Sequence, residues 1–83
     1  MKKEFVIDLR GVRLAKTVHR KLAEALPFPA DYGHNFDALF DFLTEYGADM
    51  KLVFKHAKQA PEVLARVCRN AAAETPGLDV VFE

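Results

Sequence analysis

The stretch around which this chain is organised reads Tyr32-Gly33-His34-Asn35-Phe36-Asp37-Ala38-Leu39-Phe40-Asp41-Phe42-Leu43-Thr44-Glu45-Tyr46. It predicts a loop that runs into a short helix over residues 36–46, because at about 100° per residue its apolar and polar side chains separate onto two faces. The apolar face holds Leu39, Phe42, Leu43 and Tyr46, with Ala38 at its edge. The polar face holds Asp37, Asp41, Thr44 and Glu45, and Phe36 and Phe40 lie along the border.

The polar face of this helix carries three acids, Asp37, Asp41 and Glu45, at positions i, i+4 and i+8. Like charges at that spacing oppose a helix by about 0.2–0.5 kcal/mol per pair. The helix dipole favours Asp37 near the N-terminus, but its effect fades within one turn. Because stability alone would favour a lysine or arginine here, the pattern indicates a functional surface. A solvated helix face is the alternative interpretation.

The acids of the chain are segregated, although its net charge is zero. From Leu22 to Met50 there is no lysine or arginine, yet this part holds six of the twelve acids: Glu24, Asp31, Asp37, Asp41, Glu45 and Asp49. Such a surface would repel phosphate, which argues against direct nucleic-acid binding. It would attract a basic partner.

Length and composition predict one small domain over residues 1–83, with 51% hydrophobic and 29% charged residues. The single cysteine, Cys68, excludes a disulfide within the chain and fits a reducing compartment. No apolar run approaches the roughly 20 residues that a membrane span needs. The N-terminus lacks the apolar region of a signal peptide. We therefore expect a cytoplasmic protein that does not enter membranes.

The remaining periodicities predict strands at 4–9, 50–54 and 78–82 and helices at 14–26 and 61–74. A loop over 27–33 and a polar connection over 56–60 join them. Because helix-bearing crossovers favour parallel pairing, the expected fold class is α/β. We expect a single small domain in which a three-stranded parallel sheet packs against three to four helices.

Several single residues carry local expectations. In the first helix, Leu14, Val18, Leu22 and Leu26 form the apolar stripe. Asn35 is the expected N-cap of the acidic helix, Gly33 the expected site of a positive φ, and Gly47 the expected left-handed C-cap. Cys68 falls on an apolar stripe, which predicts a buried and inert thiol.

No constellation of residues indicates catalysis or metal binding. His19 and His56 are expected to face solvent, and His34 with Asp37 makes only a weak His-x-x-Asp dyad. No Cys/His cluster has the spacing of metal ligands, and the spaced acids lack the carbonyl ligands that calcium takes. The chain has no phosphate-binding glycine loop and no nucleophile elbow. We expect no cofactor, no metal and no catalytic residue, and an enzyme stays a remote alternative.

The aromatic residues around the acidic helix allow two interpretations. Phe36 and Phe40 could extend the core stripe, or they could be interface side chains beside carboxylates. Tyr32 and Tyr46 suit either a core margin or a contact surface, because each has an apolar ring and a polar tip.

The motif Tyr32-Gly33-x-Asn35-x-Asp37-Ala38-Leu39-x-Asp41-x-Leu43-Thr44 resembles the signature of the barstar family, intracellular inhibitors of barnase-type ribonucleases. The resemblance covers most of the chain, including the Leu26-Pro27 turn and the closing strand Gly77-x-Asp79-Val80-Val81. It implies a compact fold with a three-stranded parallel sheet. It also implies that the central helix and its preceding loop plug a nuclease active site.

By this resemblance Asp41 is the principal phosphate mimic and Asp37 the second acid. The partner-binding residues it implies are Asp31, Tyr32, Gly33, Asn35, Phe36, Asp37, Phe40, Asp41, Thr44, Glu45 and Tyr46. The implied partner is a basic extracellular-type ribonuclease or nuclease toxin. The chain would be its immunity protein, a monomer when free, as in bacterial toxin–antitoxin pairs.

The chain also departs from the family pattern. Between Phe54 and Pro61 it is shorter than is usual, which leaves open whether one family helix is missing. Asn70, or a nearby alanine, stands where family members place an acidic contact, so that contact is expected to be lost. The alternative function is a diverged, barstar-like regulatory interaction module that does not inhibit a nuclease.

Overall fold

The computed structural model describes residues 2–83 and confirms the predicted order of elements. The strands are β1 (Lys3–Asp8), β2 (Met50–Lys55) and β3 (Asp79–Phe82), and the helices are α1 (Ala15–Ala25), α2 (Phe36–Tyr46) and α3 (Glu62–Glu74). The bounds of α2 are those predicted. The strands β2 and β3 and the helix α3 differ from their predictions by one residue at one end, and β1 and α1 differ by one residue at both ends.

The three strands form one parallel sheet in the order β1-β2-β3, as expected. Phe5 pairs with Leu52, and Leu52 pairs in turn with Val80. The helices α1 and α2 connect β1 to β2, and α3 connects β2 to β3. One hydrophobic cluster contains side chains from all three helices and from the sheet, so the helices form a layer on one face of it.

The core holds α2 from two sides. Leu39 and Leu43 of α2 are fully buried, together with Phe54 of β2 and Leu64 of α3. Because α2 packs against α3 as well as over the sheet, its apolar face has no freedom to rotate outward. The opposite, acidic face of α2 is therefore directed to solvent.

Within residues 2–83, no helix covers the second face of the sheet. Val6, Val53 and Val81 lie side by side across it, and Val53 is buried although it lies outside the core cluster. Charged rows border these valines: Lys51 Nζ lies 3.9 Å from a Glu4 oxygen, and on the same face Lys2 pairs with Asp79. Parallel sheets are usually covered on both faces, and here the ion pairs keep the uncovered face polar.

Two expectations about backbone and packing are wrong at single residues. Leu14 is 68% exposed, because it precedes α1 in an extended conformation and does not follow the helical period. Gly47 has φ −85°, so it is not a left-handed cap. It starts a 3₁₀ turn, Gly47–Asp49, and a Cβ there would lie 3.2 Å from Leu78 Cδ1, so close packing explains the glycine.

The shortened connection after β2 contains one 3₁₀ turn, Ala57–Gln59. The residue before this turn, His56, has a left-handed backbone conformation. Residues 2–83 thus contain three α-helices, the lower of the two expected numbers. In this part of the chain, no helix is both long and apolar enough to cross a membrane.

Candidate functional site

Asn35 joins the loop to α2, as predicted from its position. Its Oδ1 accepts the backbone N–H of Ala38 at 2.7 Å, and its Nδ2 donates to the Gly33 carbonyl at 3.3 Å. The first bond satisfies an N–H group at the start of the helix. The second holds the preceding loop against that helix end, so one side chain fixes the angle between the two.

The burial pattern along α2 agrees with the predicted faces, apart from its last residue. Leu39, Phe42 and Leu43 are buried. On the other side Asp37, Asp41 and Glu45 are exposed, whereas Ala38, Thr44, Phe36 and Phe40 are half-buried. Tyr46 was placed on the apolar face, but it is 52% exposed. Its ring centroid lies 5.3 Å from that of Phe42, so the ring lies over the core margin and borders the acidic face.

The loop and α2 enclose a groove of about 320 Å³, which we call the acidic groove. Its lining is Pro29, Asp31, Tyr32, Gly33, Ala38, Asp41, Phe42, Glu45 and Tyr46. Three carboxylates, one from the loop and two from the helix, thus border one cavity. Such an arrangement can accept a cationic side chain, above all a guanidinium, through charge-assisted hydrogen bonds.

The carboxylates of this surface are not used within the fold. The ion pairs among residues 2–83 are Lys2–Asp79 and Lys51–Glu4, both on the sheet. The carboxylate oxygens of Asp31, Asp41 and Glu45 accept no hydrogen bond from any group in that part of the chain, although the backbone carbonyl of Asp41 accepts one from Thr44. Asp37, equally free, lies in the first turn of α2 beside the groove and outside its lining. The acids are therefore available to a partner.

The loop before α2 has its positive φ at His34 (53°), where Gly33 was expected to adopt it. His34 Nδ1 donates to the Tyr32 carbonyl at 3.0 Å, so this ring stabilises the loop. His34 makes this bond to Tyr32 and none to Asp37, so the weak dyad of His34 and Asp37 is not formed. A Cβ at Gly33 would lie 3.0 Å from the Nδ2 of Asn35, so a larger residue there would press on the amide that holds the loop.

Behind the loop, Tyr32 is buried and anchors it to α1. Its ring stacks on Phe28 with centroids 3.7 Å apart, and its hydroxyl lies 3.0 Å from His19 Nδ1. Burial raises the pKa of Tyr32 to about 12. Of the two sequence interpretations of Tyr32, the structure shows the core margin, although one edge of the ring lines the acidic groove.

His19 was expected to face solvent, and this was wrong: it is 3% exposed. The loop folds back over α1, so that the His19 ring packs 4.5 Å from the Phe36 ring and bonds to Tyr32. Burial lowers the pKa of His19, and the nearby charge of His34 lowers it further. Sequence periodicity could not reveal this contact, because it depends on where a distant loop lies.

The border aromatics and Thr44 complete the surface. Phe36 and Phe40 are half-buried and pack against the core cluster, so each has one side in the core and one side outside it. Thr44 Oγ1 donates to the Phe40 carbonyl at 3.0 Å. This bond keeps the hydroxyl close to the helix backbone.

Other chemistry is not indicated in the described part of the chain. Burial raises the pKa of the Cys68 thiol to about 12, which makes it the inert thiol predicted. Within residues 2–83, no three His, Cys, Asp or Glu side chains are grouped so that they could hold a metal ion. His56 is exposed, as expected.

Comparison with known proteins gives one family. A family model described as "Barstar (barnase inhibitor)" matches residues 2–83, so the match includes the sheet, the loop and all three helices. The chain matches no curated protein.

Proposed function

The chain belongs to the barstar family of barnase inhibitors, and we propose that it inhibits a basic barnase-type ribonuclease by covering the active site with α2 and the preceding loop. The observation that carries this proposal is the acidic groove, in which Asp31, Asp41 and Glu45 are unpaired within residues 2–83. Cationic residues that bind substrate phosphate in a ribonuclease are the natural complement of these carboxylates.

Asp41 has the principal role in this mechanism. It lies on the middle turn of α2, and in the acidic groove it is joined by Asp31 from the loop and Glu45 one turn later. Its carboxylate takes the place of a substrate phosphate. Asp37, in the first turn, binds a second cation at the edge of the active site.

The remaining contacts surround these acids. Gly33 and Asn35 supply contacts from the loop, and Tyr46 lines the acidic groove. Phe36, Phe40 and Thr44 supply the half-buried apolar border, which excludes water around the charge pairs. Tyr32 contributes the edge of its ring and, through its buried hydroxyl, the position of the loop.

The proposal has consequences for where and how the chain works. It acts as a single barstar-like domain over residues 1–83, without catalysis, and binds its nuclease as a monomer. It works in the cytoplasm, in agreement with its single buried cysteine, as the immunity protein of a nuclease toxin. It does not bind nucleic acid through the acidic surface, since phosphate would be repelled there.

Replacing Asp41 with Ala tests the proposal. The variant should raise the dissociation rate and cost about 2–5 kcal/mol of binding, as loss of one partner of a buried charge pair does in complexes that include barnase–barstar itself. Residual RNA cleavage is measured while the chain is titrated against a panel of barnase-like ribonucleases. Asp8→Ala is the matched control, because it removes one carboxylate from the uncovered sheet face.

Stoichiometric inhibition that is lost in Asp41→Ala and kept in Asp8→Ala would support the active-site plug. Inhibition that survives in both variants would contradict the role of Asp41. If no panel member is inhibited, the diverged regulatory module becomes the better hypothesis, and its target would be sought by pull-down from the native cell.

A further inference from the structure

A second groove lies on the other side of the interface loop, between the loop and α1. One cavity of about 460 Å³ is lined by Lys16, Thr17, Arg20, Ala23, Glu24 and His34. An adjoining cavity of about 430 Å³ is lined by Ala15, Lys16, His19, His34, Asn35 and Phe36. Lys16 and His34 line both cavities, and we call the two together the basic groove.

The cations of the basic groove are unpaired within residues 2–83. Lys16 and Arg20 are exposed and make neither an ion pair nor a hydrogen bond in that part of the chain. His34 uses Nδ1 on the Tyr32 carbonyl, which leaves its Nε2 available. The groove contains one carboxylate, that of Glu24. Its oxygens lie more than 4.0 Å from the side-chain nitrogens of Arg20.

The position of Lys16 is unfavourable for the helix that carries it, whereas Arg20 has the opposite charge of Glu24 at i, i+4. Lys16 and Arg20 repel each other at i, i+4, by about 0.2–0.5 kcal/mol in an isolated helix. Lys16 also lies in the first turn of α1, where the helix dipole disfavours a cation and where α1 has no acidic residue. Lys16, like the acids of α2, is thus a charged residue at a position where helix stability alone would favour another residue type.

The basic groove adjoins the surface of the proposed function. Asn35 and Phe36, two of its lining residues, also belong to the proposed contact set, and His34 connects it to the loop. A protein large enough to cover the acidic groove and the start of α2 therefore reaches the basic groove as well. The partner must then meet two adjacent surfaces of opposite charge.

We propose that the partner nuclease places a carboxylate side chain, from the rim of its active site, in the basic groove against Lys16 and Arg20. The inference rests on the proposed function and narrows the partner class to nucleases in which an acidic side chain borders the cationic active site. It also gives a source of specificity, because a nuclease with a cation at that rim position would be repelled.

Charge reversal in the basic groove tests this inference. Lys16→Glu and Arg20→Glu should each weaken inhibition of the panel ribonucleases by about fivefold or more at low salt, and less at high salt. Lys55→Glu is the matched control, because it makes the same charge change at the end of β2 on the uncovered sheet face and should alter inhibition less than about twofold. Replacing the rim carboxylate of the nuclease with lysine should restore binding to Lys16→Glu.

Thermal unfolding of each variant separates binding from folding, since Lys16→Glu should not lower the stability of α1. If the groove variants inhibit like Lys55→Glu while Asp41→Ala is inactive, the plug stands and the basic groove has no part in it. If Asp41→Ala also inhibits normally, the proposed function itself fails. Binding of a short RNA by the free chain that Lys16→Glu abolishes would overturn the inference, because the groove would then bind phosphate.

Discussion

At the scale of single residues, the binding surface depends on a few side chains that position others. Asn35 is the clearest case, because its two hydrogen bonds, to the Ala38 N–H and to the Gly33 carbonyl, hold both sides of the loop–helix junction. Neither bond involves a partner. A substitution at Asn35 should therefore lower the stability of the free protein, and it should affect binding only indirectly, through the position of the loop.

Asn35→Ala should lower the free energy of unfolding by about 1 kcal/mol, since the start of α2 loses its cap. Urea unfolding of the free chain measures this. Asn70→Ala is the matched control: Asn70 is exposed within α3, where alanine is the better helix former, and no loss is expected. Equal losses in the two variants would show that the cap does not stabilise α2.

His19 should make stability depend on pH. Its folded pKa is lowered from 6.5 by burial first and by the charge of His34 second. The unfolded chain therefore binds the proton at a higher pH than the native chain does. The contribution of neutral His19 to the free energy of unfolding is fully present above pH 6.5 and decreases as the pH falls below that value. It is lost once the pH has fallen below the lowered pKa of the folded state.

Urea unfolding between about pH 8 and pH 5 checks this behaviour. His19→Asn is the informative variant, because its amide can occupy the place of Nδ1 beside the Tyr32 hydroxyl without titrating. Its stability should change less with pH than that of the parent chain. The same pH dependence in both proteins would show that other groups cause it.

At the scale of elements, α2 combines a well-packed face with an electrostatically poor one. Leu39, Phe42 and Leu43 fix it to the core, whereas its acids follow one another at i, i+4 and i+8 and its last turn has no basic residue. The packed face outweighs the repulsion, because a buried side chain contributes about 1.5–3 kcal/mol and a like-charge pair opposes the helix by only about 0.2–0.5 kcal/mol.

Glu45→Lys should stabilise the free chain by a few tenths of a kcal/mol, because it pairs with Asp41 at i, i+4 and places a cation near the C-terminus of α2. The same variant should weaken inhibition, since it introduces a positive charge into the acidic groove. Thermal unfolding and the RNA cleavage assay measure the two effects. A loss of stability in both Glu45→Lys and Asp41→Ala would show that the acids serve the fold.

At the scale of the whole molecule, the fold converts a segregated sequence into separate charged surfaces. Net charge is zero, yet α2 with its loop presents the acids, α1 presents Lys16 and Arg20, and the uncovered sheet face carries the ion pairs Lys2–Asp79 and Lys51–Glu4. The charge of the chain is therefore distributed in separate patches, which lie on either side of the interface loop.

Association with the nuclease should slow as ionic strength rises from about 0.05 M to about 0.5 M, despite the zero net charge, because local patches steer the encounter. Stopped-flow measurement of the association rate tests this. The decrease of the association rate with ionic strength should become smaller in Asp41→Ala and stay unchanged in Asp8→Ala. A rate that is independent of salt would mean that the acidic patch takes no part in the encounter.

The sequence by itself determined the elements and most of the core. Periodicity located α2 over 36–46 and the strands, because the pattern of apolar side chains is set by which face of an element is buried. The helix-bearing crossovers between the strands predicted their parallel pairing. The Asn35 cap and the exposed acids of α2 also followed from local pattern. These features depend on residues close together in the chain, for which spacing carries the information.

Only the tertiary structure decided what distant segments do to one another. It buried His19 beneath the loop, gave the positive φ to His34, packed Gly47 against Leu78 and left Tyr46 at the surface. It also brought Asp31 across from Asp41 to border one groove and placed His34 beside Lys16. Such contacts arise where the loop meets helices on either side of it, and a local period cannot encode them because it describes one element at a time.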